Sequence, residues 1–173
     1  MLALLVIPAG PVSPALGWLG AALVAGGEAL RLWAVRHIGV ISRTRSDRLG
    51  PLIETGPFAL IRNPLYVGNL ALWVGFALSA RLLWLVPAAI VLLGLEYHAI
   101  VRWEESLLQS RRGDQYRAYA SRVPRWIPRP GRGPALVSRP AEPFSWGDTV
   151  FSERGTLIAI AVGFLLLALK ARS

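Results

Sequence analysis

The chain contains no cysteine, so disulfides, thiolate metal sites and a cysteine nucleophile are excluded. Histidine is nearly absent too. His37 and His98 lie far apart, without Asp, Glu or His companions at zinc-ligand spacing, so each is expected to be a locally bonded or interfacial side chain and no metal site is expected. Charge is scarce, at 17% of 173 residues against 54% hydrophobic, and the mean hydropathy is +0.46, a balance too apolar for a water-soluble domain of this size. Missing as well are any alternating strand pattern and any Gly-x-Gly-x-x-Gly turn opening a βαβ unit, which excludes a Rossmann nucleotide site. The expectation is an all-α, polytopic membrane bundle of about four transmembrane helices, folded as one domain over residues 1–173.

What charge there is has one dominant sign. The net charge is +9, with the basic excess placed beside apolar runs, where it suits anionic lipid headgroups better than nucleic acid. From Val12 to Leu30 the only ionisable residue is Glu28, and small residues recur at Gly17, Ala21 and Ala25, with Gly20, Gly26 and Gly27 nearby. Such positions either admit a second helix backbone or reflect the ordinary tolerance of membrane helices for glycine. Met1 to Ile7 lacks a basic n-region, so this run is expected to be mature structure rather than a signal peptide.

A second run starts at Asn63-Pro64, an N-cap residue followed by a proline at the first helical position, and continues to Leu78. A tight turn around Arg81 then leads into a third run from Leu82 to about Leu108, making a helical hairpin in which Pro87 is a possible kink. The last run, Thr156 to Leu169, predicts a short fourth span at about residues 155–170. Residues 31–62 carry six arginines against Asp47 and Glu54, and residues 102–154 carry ten arginines against six acids. Both long connections are therefore expected to be cytoplasmic, in a multi-pass protein of a bacterial inner membrane. Asp114 to Val123 predicts an amphipathic helix lying at the membrane interface, with Tyr116, Tyr119 and Val123 on one side, and Arg125 to Pro143 a loose connection. Where the third helix leaves the apolar region, Glu105 is expected to be solvated or to answer Arg102.

Two ordered segments then narrow the function. Gly56-Pro57-Phe58-Ala59-Leu60-Ile61-Arg62-Asn63-Pro64-Leu65-Tyr66-Val67-Gly68 resembles the Gly-Pro-Tyr-x-x-x-Arg-His-Pro-x-Tyr-x-Gly motif of the isoprenylcysteine carboxyl methyltransferase family, which is itself similar to bacterial phospholipid methyltransferases. Glu104-Glu105-Ser106-Leu107-Leu108, Arg112 to Tyr119, Val123-Pro124 and Arg125 to Pro128 resemble the second half of that signature, so the likeness covers about residues 30–130. The resemblance implies an integral membrane methyltransferase that holds S-adenosyl-L-methionine in a cytoplasm-facing pocket and methylates a lipophilic acceptor drawn from the bilayer. It carries cofactor contacts onto Pro51, Leu52, Ile53, Phe58, Asn63, Pro64, Leu65, Tyr66 and Glu104. Aromatic faces at Phe58, Tyr66 or Trp103 would suit the sulfonium cation or adenine. Methyl transfer by in-line displacement needs no covalent enzyme intermediate, so no nucleophile is assigned.

Three positions depart from the family pattern. Asn63 replaces its His, Arg112 its Phe, and Ile100 stands where the eukaryotic members have a substrate-contacting Arg. The acceptor stays open between a carboxylate, a small thiol and a lipid amine, the first two ranked higher because they arrive already nucleophilic. A non-enzymatic assembly or transport component on the same scaffold is the alternative that Asn63 and Arg112 suggest. The oligomeric state is left open.

Overall fold

The computed structural model describes residues 14–38, 52–129 and 144–170, and every regular element among them is helical. Among the described residues there are four helices: α1, Pro14–Ile38; α2, Pro64–Ser79; α3, Leu85–Arg122; and α4, Trp146–Lys170. A 3-10 turn, Gly56–Ala59, precedes α2. Helices α1, α3 and α4 are long and apolar enough to cross a membrane, while α2 is a shorter apolar helix of 16 residues. The four expected spans thus resolve into three of spanning length and one that reaches about 24 Å. Their large lipid-type side chains, Leu92, Leu95, Ile158 and Leu165 among them, are exposed, as a bilayer-facing surface requires.

The closest packing in the bundle joins α1 and α2, which run antiparallel and meet through glycines. A Cβ on Gly20 would lie 2.6 Å from the Gly75 carbonyl oxygen, and one on Gly27 would lie 2.8 Å from that of Gly68. Lipid offers little hydrophobic drive between helices, so close backbone approach of this kind is a main source of association. The glycines used are Gly20 and Gly27; Gly17 and Gly26 face open space, so the row through Gly17, Ala21 and Ala25 is not the packing face.

The hairpin turn falls where the sequence placed it. Arg81 has φ 61°, Leu82 N–H bonds to the Ala77 carbonyl at 2.9 Å and Arg81 N–H to that of Leu78 at 2.9 Å, a Schellman closure with Leu82 buried against it. Pro87 does not kink α3. It lies in the first turn, where a missing N–H leaves no bond unmade, and the interruption comes at Gly113, with φ 48° and ψ −120°. Up to that interruption, residues 85–112, α3 already runs about 42 Å, longer than a hydrocarbon core of about 30 Å, so its polar second part stands clear of it.

Helix α4 starts ten residues before the apolar run that announced it. Ser145 caps it, accepting the Asp148 N–H at 3.1 Å and donating its hydroxyl to Asp148 at 2.6 Å, a reciprocal Ser-x-x-Asp arrangement. Arg36 ties this start to the end of α1 by hydrogen bonds with Phe144 and by lying 4.4 Å over the Trp146 ring. With 25 residues the helix reaches about 37 Å and is no longer short for a span.

Replacing Gly20 or Gly75 by Ala is expected to lower stability by about 1–3 kcal/mol, because the added methyl meets backbone rather than a movable side chain. Gly17→Ala should be neutral or slightly stabilising. Thermal unfolding of the three variants in one detergent checks both.

Candidate active site

The two motif segments, some forty residues apart in sequence, come together at the polar end of the bundle. Pro64 takes the first helical position of α2 and is fully buried. Asn63 occupies the N-cap position, but its side chain makes no cap bond; the amide donates to the Arg125 carbonyl oxygen at 3.2 Å. Arg62 N–H donates to the Pro124 carbonyl at 2.9 Å, and Tyr119 donates its hydroxyl to the Phe58 carbonyl at 2.8 Å. The segment preceding α2 is therefore stitched along its length to the end of α3.

Charge reinforces the seam. Glu105 pairs with Arg62 at 2.9 Å and receives a two-pronged bond from Arg125, at 3.0 and 2.5 Å, while Arg62 also donates to the Tyr116 hydroxyl at 3.2 Å. Glu105 is thus neither solvated nor matched to Arg102; it answers arginines from two other segments. Those hydrogen bonds hold the Arg125 guanidinium above its usual range. Arg122 makes a further pair with Glu54 at 3.1 Å. Tyr116, Tyr119 and Val123 bury their shared face against Leu52, so the amphipathic turn packs on the protein instead of lying on a lipid surface.

Above this seam Tyr66, on α2, donates its hydroxyl to Glu104, on α3, at 2.9 Å, and its ring lies 5.0 Å from that of Tyr97. A carboxylate has acceptor capacity for about four hydrogen bonds, and Tyr66 uses one. Of the residues implicated by resemblance, Tyr66 and Glu104 touch. Asn63 lies one turn before Tyr66, Phe58 and Pro64 are buried in the seam, Leu52 packs in the Tyr116 cluster, and Ile53 and Leu65 are half-buried nearby. Pro51 lies outside the described residues. Trp103 is 64% exposed and turned outward, so it offers no face to this site.

Two concavities flank the seam. A polar cleft of about 450 Å³ is walled by Glu54, Leu60, Tyr119, Arg122, Pro124 and Arg129; Tyr66 and Glu104 are not among its walls. An apolar groove of about 460 Å³ runs between α2, α3 and α4, lined by Leu72, Trp73, Phe76, Leu92, Leu93, Thr156 and Ile160 among others. Its upper residues, Leu72 and Leu93, are one helical turn from Asn69 and Tyr97, so the groove points along the bundle toward Tyr66.

Between groove and seam lies a buried polar group that the sequence reading missed. Arg31 on α1 pairs with Glu28 at 3.3 Å and Glu153 at 2.5 Å, bonds the Asn69 side chain, and donates to the Thr156 hydroxyl at 3.3 Å. The available signals were Glu28 and Arg31 at i,i+3 spacing in an apolar run, and Glu153 just ahead of the last one. His37 lies against Gly56 and its Nδ1 bonds to the Trp33 carbonyl at 2.9 Å, while His98 is exposed. Among the described residues no three metal-ligating side chains come together.

Residues 16–115 match the family described as phospholipid methyltransferase, which falls within the isoprenylcysteine carboxyl methyltransferase-like group of membrane methyltransferases. The chain belongs to the phospholipid methyltransferase family. It is also similar to the nickel-cobalt-cadmium resistance protein NccN of Alcaligenes xylosoxydans xylosoxydans, with 33% identity over 113 residues, 65% of this chain and 48% of that protein. The cobalt-zinc-cadmium resistance protein CzcN of Cupriavidus metallidurans is 31% identical over 119 residues, 69% of this chain and 50% of its own length. The chain thus spans about half the length of these relatives. No solved structure matches it.

Glu105→Ala is expected to cost about 3–5 kcal/mol, since it leaves Arg62 largely buried without its carboxylate. Arg102→Ala should change stability by less than about 0.5 kcal/mol. Chemical denaturation in mixed micelles compares the two.

Proposed function

We propose that the protein is an S-adenosyl-L-methionine-dependent methyltransferase of a bacterial inner membrane, acting on a lipophilic acceptor, with its arginine-rich end in the cytoplasm. The hydrogen bond from Tyr66 to Glu104 is the observation that carries this reading: it joins the two family motifs through one residue of each, at the mouth of the bundle. The residues fit the methyl donor. Glu104 retains acceptor positions suited to ribose hydroxyls or an amino group, and the paired rings of Tyr66 and Tyr97 offer π faces beside them, where a desolvated cation gains about 2 kcal/mol.

The donor, when bound, supplies a methyl group on a positively charged sulfur, which an acceptor lone pair displaces to leave a neutral thioether. The protein's part is orientation. Tyr66 fixes the Glu104 carboxylate, the Arg62–Glu105–Arg125 set fixes the helix ends that carry them, and packed helices restrict water. The apolar groove gives the acceptor its seat: an alkyl chain laid along Leu92, Phe76 and Leu72 presents its head at the level of Tyr97 and Tyr66. With Ile100 in place of the eukaryotic arginine, binding a prenylcysteine carboxylate in the eukaryotic manner has no matching residue.

The names of NccN and CzcN favour a second reading, a component of a metal-resistance system. The described residues hold no ligand set for the metals themselves, so this role is an acceptor made or modified in such a system.

S-Adenosylhomocysteine at about 100 times its Kd should stabilise the detergent-solubilised protein by about 2.7 kcal/mol, a rise in melting temperature of about 5 °C, and Glu104→Gln should abolish the rise. Labelled-methyl transfer into fractionated membrane lipid, followed by mass spectrometry, identifies the acceptor. Unchanged melting of the wild-type protein at saturating ligand overturns the reading.

A further inference from the structure

Buried charges inside a membrane bundle are expensive and call for an explanation. Arg31 is the place where side chains of α1, α2 and α4 meet: its guanidinium takes Glu28 from its own helix, Asn69 from α2, and Glu153 and Thr156 from α4. A planar fork with donors in fixed directions suits such a junction, where a lysine would not. Asn69 is three residues after Tyr66 and so shares its face of α2. The Asn69 carbonyl oxygen is held by Arg31, its side chain lies beside the Tyr97 hydroxyl, and the Tyr97 ring packs on Tyr66. Hydrogen bonds join Glu153, Arg31 and Asn69; a ring contact and a hydrogen bond join Tyr97, Tyr66 and Glu104; and Asn69 shares the face of α2 that carries Tyr66.

We propose that Arg31, oriented by Glu153, is a positioning residue for the Tyr66–Glu104 site, so that α4 sets the geometry of a site to which it contributes no contact of its own. The inference rests on the methyltransferase reading. Helix α4 lies beyond the family-matched residues 16–115, so the coupling draws on a helix outside the matched segment. Thr156 gives it a use. That residue lines the apolar groove and also bonds Arg31 and Glu153, so a chain entering the groove presses on the same junction that holds Tyr97 and Tyr66.

A double-mutant cycle tests this, with S-adenosylhomocysteine as the probe and calorimetry in detergent as the readout. Arg31→Ala would strand buried carboxylates and risks not folding, so the cycle uses Glu153→Gln and Tyr97→Phe, which keep shape and ring. Each single variant should weaken binding about five- to tenfold, and the double variant no further than the weaker single, because both break one chain of contacts. Arg31→Lys should behave like Glu153→Gln, while melting temperatures measured without ligand report any purely structural loss. Multiplying effects in the double variant, or unchanged affinity in the singles, overturns the coupling and leaves the methyltransferase reading intact. Failure of the wild-type protein to bind the probe overturns both.

Discussion

The Glu105 carboxylate, held between Arg62 and Arg125, is the constraint on which the rest of the polar end depends. Three segments that leave the bundle at different points, the entry to α2, the end of α3 and the chain after it, share a small apolar cluster of Tyr116, Tyr119 and Val123 against Leu52. A largely buried carboxylate with two guanidiniums gives them a fixed mutual geometry, and removing the carboxylate leaves the Arg62 charge uncompensated. The Tyr119 and Asn63 bonds to backbone carbonyls close the remaining gaps. This seam holds the helix ends across which Tyr66 and Glu104, on two different helices, make a 2.9 Å hydrogen bond.

Below the seam the bundle is organised by a different force. Glycines at 20, 27, 68 and 75 bring the backbones of α1 and α2 into contact, which makes that pair a rigid spine. Helix α3 is carried on one flank of this spine and α4 on the other, so the space between them opens as an apolar groove. The charged seam at the arginine-rich end and the apolar groove along the helices follow from the same arrangement.

Much of this was legible in the residues. Asn63-Pro64 marked the start of α2 and Arg81 the hairpin, and the family resemblance named Tyr66 and Glu104, one from each motif, without pairing them. These features are local, or are fixed by short motifs, and need no knowledge of what lies opposite. The expectations that changed all concerned partners. Glu105 was expected to be solvated or to answer Arg102, Gly17, Ala21 and Ala25 were named beside the Gly20 and Gly27 that make the contact, and Trp103 was offered to a site from which it turns away. The start of α4 was missed for another reason: its first two turns are polar, and the Ser145 to Asp148 cap is a weaker signal than an apolar run.

Composition, periodicity and caps by themselves determined that the chain is an all-helical membrane protein with a hairpin and an arginine-rich end, because each of those properties is set within a few helical turns. Which glycines touch, which arginine takes Glu105, and that Arg31 gathers Asn69, Glu153 and Thr156 were decided by tertiary structure alone. The physical reason is that a helix offers several faces of similar character, and only docking against its neighbours selects the one whose charges and backbone are buried.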